Sequence, residues 1–195
     1  MPTLLFGLLL FLTPGALGLG TSVFRLRLSL LLLIAITTFL VPALLIVFLH
    51  RLGFVESLHM EELRDRRLPY FVTAIMYAVS TVMFSYRLEQ LSELAPQIGI
   101  VLGSVTVSVA LVALISLYWK ISAHSVGISG MIGALTGIAI KSSEEVLFLP
   151  LLALIMLAGL LASARLHLNA HTPSQIGAGF GLGLAISLTA VIWFI

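Results

Sequence analysis

Apolar runs alternate with short polar breaks along the whole chain. Seven runs stand out: Thr3 to Leu19, Leu28 to Leu49, Pro69 to Tyr86, Gln97 to Trp119, Ser125 to Ile140, Val146 to Ala164 and Ser174 to Ile195. About 20 residues of helix cross the hydrocarbon core of a bilayer, and most of the runs approach that length. Backbone groups inside a bilayer must pair within the protein, which continuous runs of this length achieve as helices rather than as a barrel. The pattern therefore predicts an all-α polytopic membrane helix bundle of about six to seven transmembrane helices. Pro14-Gly15 is expected to bend the first run, and Arg25 and Arg27 to lie in the turn after it. The chain reads as one integral-membrane domain, 1–195, with 1–50 as a two-helix addition to a core formed by 51–195.

Composition supports that class. Of 195 residues, 60% are hydrophobic and 9% charged, and the mean hydropathy is +1.19. A soluble domain carries about 25% charged residues. The absence of cysteine excludes disulfides, a thiol nucleophile and a cysteine-ligated metal. Met1 to Leu12 lacks the basic start of a signal peptide and is expected to be a retained membrane segment. Membrane lipids are the expected partners, and no nucleic acid.

Helix directions bring distant polar stretches together. Runs three and four form a hairpin that leaves the membrane face at Pro69 and returns at Lys120. Runs five and six leave near His124 and return at Arg165. Arg64 to Arg67, Lys120 to His124 and Arg165 to His171 then share one face. Two of these stretches carry helix-start signals. Ser122 is a suitable N-cap ahead of the fifth run. Thr172-Pro173-Ser174-Gln175 places a cap, a proline at the first helical position and the glutamine of a capping box in order. Helix N-termini offer unpaired N–H groups and a positive dipole end to an anion, and arginine adds forked donors for phosphate. Taken singly, His124 and His171 read as interfacial histidines beside ordinary caps, and the arginines as a juxtamembrane basic loop. Gly133 with Gly137, Gly177 with Gly181, and Gly179 with Gly183 are each four apart, a spacing for close helix packing without a catalytic role. His167 and His171 have metal-ligand spacing, but no carboxylate pair lies nearby and Pro173 restarts the helix. No metal and no cofactor are expected.

The three clusters resemble the membrane branch of the type 2 phosphatidic acid phosphatase superfamily. Its signature reads K-x-x-x-x-x-x-R-P, then P-S-G-H, then S-R-x-x-x-x-x-H-x-x-x-D. Arg165 and His171 fit the third motif, with Ala164 in the serine slot and Gln175 in the aspartate slot. Ile121-Ser122-Ala123-His124 fits the second. Arg67-Leu68-Pro69 is similar to the end of the first; its lysine slot falls on Met60, leaving Arg64 or Arg66 to substitute.

The resemblance implies a lipid phosphatase acting on a lipid phosphate or diphosphate without a metal. His171 would attack phosphorus and form a phosphohistidine, and His124 would protonate the leaving oxygen. Arg67, Arg165 and Ser122, with Arg64 or Lys120, would hold the phosphoryl oxygens. Gln175 would orient His171 without the charge an aspartate brings, with Asp65 as a candidate carboxylate to assist. Two alternatives share the fold: a headgroup transferase between lipids, and a non-catalytic protein that binds or transports lipid phosphates. Setting aside the phosphate-binding cations, Arg51 alone remains on the site face against Arg25, Arg27, Arg87 and Lys141 on the other. The positive-inside rule then predicts a cell-membrane protein whose site faces away from the cytoplasm.

Overall fold

A computed structural model describes residues 1–55, 63–88 and 95–195, with residues 63–65 described by their backbone alone. The described residues form helices and turns without strands: α1 (Pro2–Leu12), α2 (Phe24–Ala35), α3 (Val41–Arg51), α4 (Leu63–Val82), α5 (Pro96–Ile115), α6 (Ala123–Ser142), α7 (Phe148–His167) and α8 (Pro173–Phe194). A π-turn, Ile36–Leu40, joins α2 and α3 into one helix of 28 residues, and a second π-turn, Met83–Arg87, extends α4. Among the described residues, six helices are long and apolar enough to cross a membrane. The protein is an all-α, multi-pass membrane bundle. Its outer surface carries exposed Ile75, Val79, Phe148, Leu149 and Leu160, side chains that a lipid environment accommodates.

The first run departs from the expected span. Pro14 and Gly15 end α1 after 11 residues and begin a 3-10 turn, Pro14–Leu17, closed by Gly18 at φ +75°. At 1.5 Å per residue α1 is about 16 Å long, half of a bilayer core. Leu5, Phe6, Leu9 and Leu10 are wholly buried, so α1 is a short helix packed into the bundle against α2 and α6. Arg25 and Arg27 lie within α2 rather than in a turn. The Arg27 guanidinium donates to the Ser22 hydroxyl and the Ser22 carbonyl, each at 2.9 Å, and closes the loop ahead of the helix.

Two prolines shape the long helices. Pro42 has no N–H to offer the carbonyl of Thr38 four residues earlier. The Tyr77 hydroxyl donates to that carbonyl at 2.8 Å and ties α4 to the π-turn. Pro69 lies inside α4 (Leu63–Val82), so Arg66 and Arg67 stand on a helix where the sequence pattern predicts a loop.

Helices α6 and α8 are parallel and pack together more extensively than any other pair. Glycine makes their approach possible. A Cβ at Gly179 would lie 2.8 Å from the Ser122 carbonyl oxygen and 2.9 Å from the Ser125 Cβ. One at Gly183 would collide with the Val126 carbonyl and the Ser129 hydroxyl, and one at Gly133 would lie 2.7 Å from the Leu184 carbonyl. Gly177 and Gly181, on the other side of α8, face open space. The packing role expected of the glycines thus belongs to Gly179, Gly183, Gly133 and Gly137, and not to Gly177 and Gly181.

Candidate functional site

The α6–α8 seam sets two helix N-termini side by side. Ser122 caps α6; its wholly buried hydroxyl oxygen accepts from the Ser125 N–H at 3.4 Å and from the Ser125 hydroxyl at 2.8 Å. Thr172 caps α8 in a full capping box. Its hydroxyl accepts from the Gln175 N–H at 3.4 Å, and its own N–H donates to Gln175 Oε1 at 3.1 Å. The Ser122 N–H donates to the Gln175 carbonyl at 3.3 Å and joins the two starts directly. The positive ends of two parallel dipoles therefore open on one spot, a place that favours negative charge.

His171 precedes the α8 cap and is 9% exposed. Its Nδ1 lies 3.2 Å from Gln175 Oε1 and 3.3 Å from the Lys120 carbonyl oxygen. Both neighbours are acceptors, and the Thr172 N–H fixes which end of the Gln175 amide is the oxygen. Nδ1 therefore carries the proton, and Nε2 keeps its lone pair. Burial lowers the His171 pKa below the ordinary 6.5, the hydrogen bond to Gln175 opposes that shift, the Arg66 charge adds to it, and the bond to the Lys120 carbonyl and the Lys120 charge follow with opposite signs. Burial thus favours the neutral ring.

His124 is the second residue of α6 and is exposed at the site face. The charges of Arg165, His171 and Arg66 all act on it, so helices α4, α6, α7 and the start of α8 converge there. Arg165 and His167 occupy the last turn of α7, where cations complement the dipole's negative end. Arg165 is half-buried and His167 exposed.

The structure separates the two adjacent arginines of α4. Arg66 is only 7% exposed, and its charge acts on Tyr70 one turn further along and on both histidines. Arg67 is exposed and donates to the Leu117 carbonyl at 2.9 Å, tethering α4 to the end of α5. Of the residues the sequence singles out, His171, Gln175, His124, Arg165, Ser122 and Lys120 come together. Arg67 turns away, and Arg66 takes the inward place. The side chains of Arg64 and Asp65 lie outside the described residues. Tyr70 was missed by the sequence reading; its signal is the four-residue spacing from Arg66, which becomes visible once Pro69 is read as lying within the helix.

Two spaces adjoin the cluster. An open pocket of about 370 Å³ is lined by Lys120, Asn169, His171 and Gln175. A mostly apolar cavity of about 260 Å³ begins at Tyr70 and Ala123 and extends into the bundle. Among the described residues, no group of three or more histidine, aspartate and glutamate side chains is placed to hold a metal. Comparisons with protein-family models, curated proteins and solved structures find no match.

Proposed function

We propose that this protein is a membrane lipid phosphatase that hydrolyses a lipid phosphate or diphosphate through a phosphohistidine on His171. The observation that carries the reading is the held tautomer of His171. A neutral ring with its Nε2 lone pair free would stand beside two helix N-termini and within reach of the Arg66 charge, and the charges of His171 and Arg165 both act on His124. Nε2 would attack phosphorus and form an N–P bond as the bond to the leaving oxygen breaks. His124 would take up a proton once the phosphate dianion lies beside it, since a neighbouring anion favours the charged ring, and would give that proton to the leaving oxygen. Water would then attack the phosphohistidine, give up a proton to His124 and release phosphate. Arg66, Arg165, Lys120 and the first-turn N–H groups would stabilise the oxygens as charge moves through the transition state.

A second reading follows from Gln175. Its amide orients the ring but supplies no negative charge to an imidazolium, and where a triad aspartate is replaced by its amide the rate falls by about 10⁴. The same site would then bind lipid phosphates without turning them over.

Release of inorganic phosphate from a panel of lipid phosphates by the purified protein separates the two. Turnover that disappears in His171→Ala and slows by about 10²–10⁴ in His124→Ala fits the phosphatase. Full turnover in a well-folded His171→Ala protein rules the mechanism out. Tight binding without turnover on any member of the panel favours the second reading.

A further inference from the structure

We infer that the apolar cavity is the binding site for a single alkyl chain, whose anionic head lies on the Arg66–His124 cluster. The head position rests on the function proposed above. The cavity stands on its own geometry.

Its lining comes from both parts of the chain. Leu5 of α1 and Ile46 of α3 face Tyr70 of α4, Val109 of α5 and Gly127 and Gly130 of α6. Of the five hydroxyl side chains in its wall, three are turned to backbone carbonyls. Thr73 donates to Pro69 at 2.7 Å, Tyr77 to Thr38 at 2.8 Å and Ser108 to Ser104 at 2.9 Å. Those hydroxyls have spent their protons, and a cavity with apolar walls stays dry and takes apolar guests. At about 260 Å³ it falls just below the roughly 300–1,000 Å³ of pockets that enclose drug-sized ligands. That volume suits one chain and excludes a pair. Its polar end is Tyr70, one helical turn from Arg66, and Ala123, the neighbour of His124. An amphiphile with a phosphate head and one chain matches both ends.

Selection here works by exclusion. A chain already dissolved in lipid gains little by entering a cavity as apolar as the tails it leaves. Attraction lies at the head, and the cavity decides which tails fit. Gly127 is the position that tests this. A Cβ there would meet only the Met1 side chain, with Cγ at 2.9 Å, so a larger residue displaces a flexible group and fills the space. Val109, on the facing wall, offers an independent second variant.

The experiment uses the full chain in phosphatidylcholine nanodiscs and octyl phosphate carrying a diazirine at its terminal carbon. After irradiation, labelled residues are located by peptide mass spectrometry. The expected result is labelling on the cavity faces of α5 and α6, reduced about fivefold to a hundredfold in Gly127→Leu and Val109→Trp, the range that overfilling a packed space costs. Labels confined to outer residues such as Leu149 and Leu160, or cavity labels that persist in both variants, overturn the proposal. Excess inorganic phosphate judges the head position separately. Cavity labelling that phosphate leaves unchanged supports the chain site and removes the anion site from the phosphatase reading.

Discussion

His171 Nδ1 and Gln175 Oε1 stand 3.2 Å apart across the first turn of α8. The same oxygen accepts the Thr172 N–H at 3.1 Å. One amide therefore closes the capping box and holds the histidine. Gln175→Ala is expected to lose both, with about 1 kcal/mol of stability and a larger share of turnover. Gln175→Glu keeps the reach and adds a charge next to the ring, so it should raise the His171 pKa and preserve or increase turnover. Thermal unfolding and the ring's NMR titration, measured beside the rate, separate the cap from the orientation.

The lowered His171 pKa sets the direction of a pH effect. Between the folded value and the ordinary 6.5 the unfolded chain binds the proton that the folded chain refuses. The contribution to stability is thus fully present above pH 6.5 and declines as pH falls from there through the folded value. Turnover that depends on the neutral ring should persist somewhat below pH 6.5 and then drop. His171→Gln should flatten that part of the stability profile; an unchanged profile would assign the titration to another group.

Arg66 and Arg67 should behave differently. Arg66 faces the histidines and is buried, and hydrogen bonds to charged groups contribute about 1.5–3 kcal/mol. Arg66→Ala is therefore expected to weaken phosphate or vanadate binding by roughly tenfold to a hundredfold, and Arg66→Lys to restore only part of it, because lysine lacks the planar fork. Arg67→Ala should leave anion affinity nearly intact and lower stability through the lost tie to Leu117. Equal effects on affinity would mean that both arginines reach the ligand.

Four glycines of α8 provide an internal control. Gly179→Ala and Gly183→Ala place a methyl against α6, where overpacking costs about 1–3 kcal/mol, and should cost activity as well by shifting the N-termini. Gly177→Ala and Gly181→Ala point into open space and should gain up to about 1 kcal/mol from helix propensity. Melting temperature and phosphate release on the four variants check the contrast. A harmless Gly183→Ala would contradict the close approach.

The sequence made the long helices legible because runs such as Gln97 to Trp119 and Val146 to Ala164 leave no other way to satisfy their backbones. Both caps, Ser122 and Thr172, were legible because side-chain oxygen and spacing suffice to specify them. The length of α1 was not, since hydrophobicity cannot distinguish a membrane span from a short helix buried in the bundle. Which of Arg66 and Arg67 is buried was not legible, for a geometric reason. Reading Pro69 as the start of the helix removes the turn that precedes it, and with that turn goes the 100° rotation that separates neighbouring residues. The Lys120 carbonyl on His171 was beyond reach of any motif, because every residue offers the same group.

The seam between α6 and α8 also has a consequence for biosynthesis. Chains enter the membrane from the N-terminal end, and α7 lies between the two partners. While α8 is still being made, the small residues of α6 have no backbone to receive them, and His124 stands on a helix whose capped start lacks its neighbour. A ribosome that stalls before Pro173 would leave a protein with most of its spans inserted and only half of its cluster assembled. The order of the helices thus withholds the assembled cluster until α8 arrives.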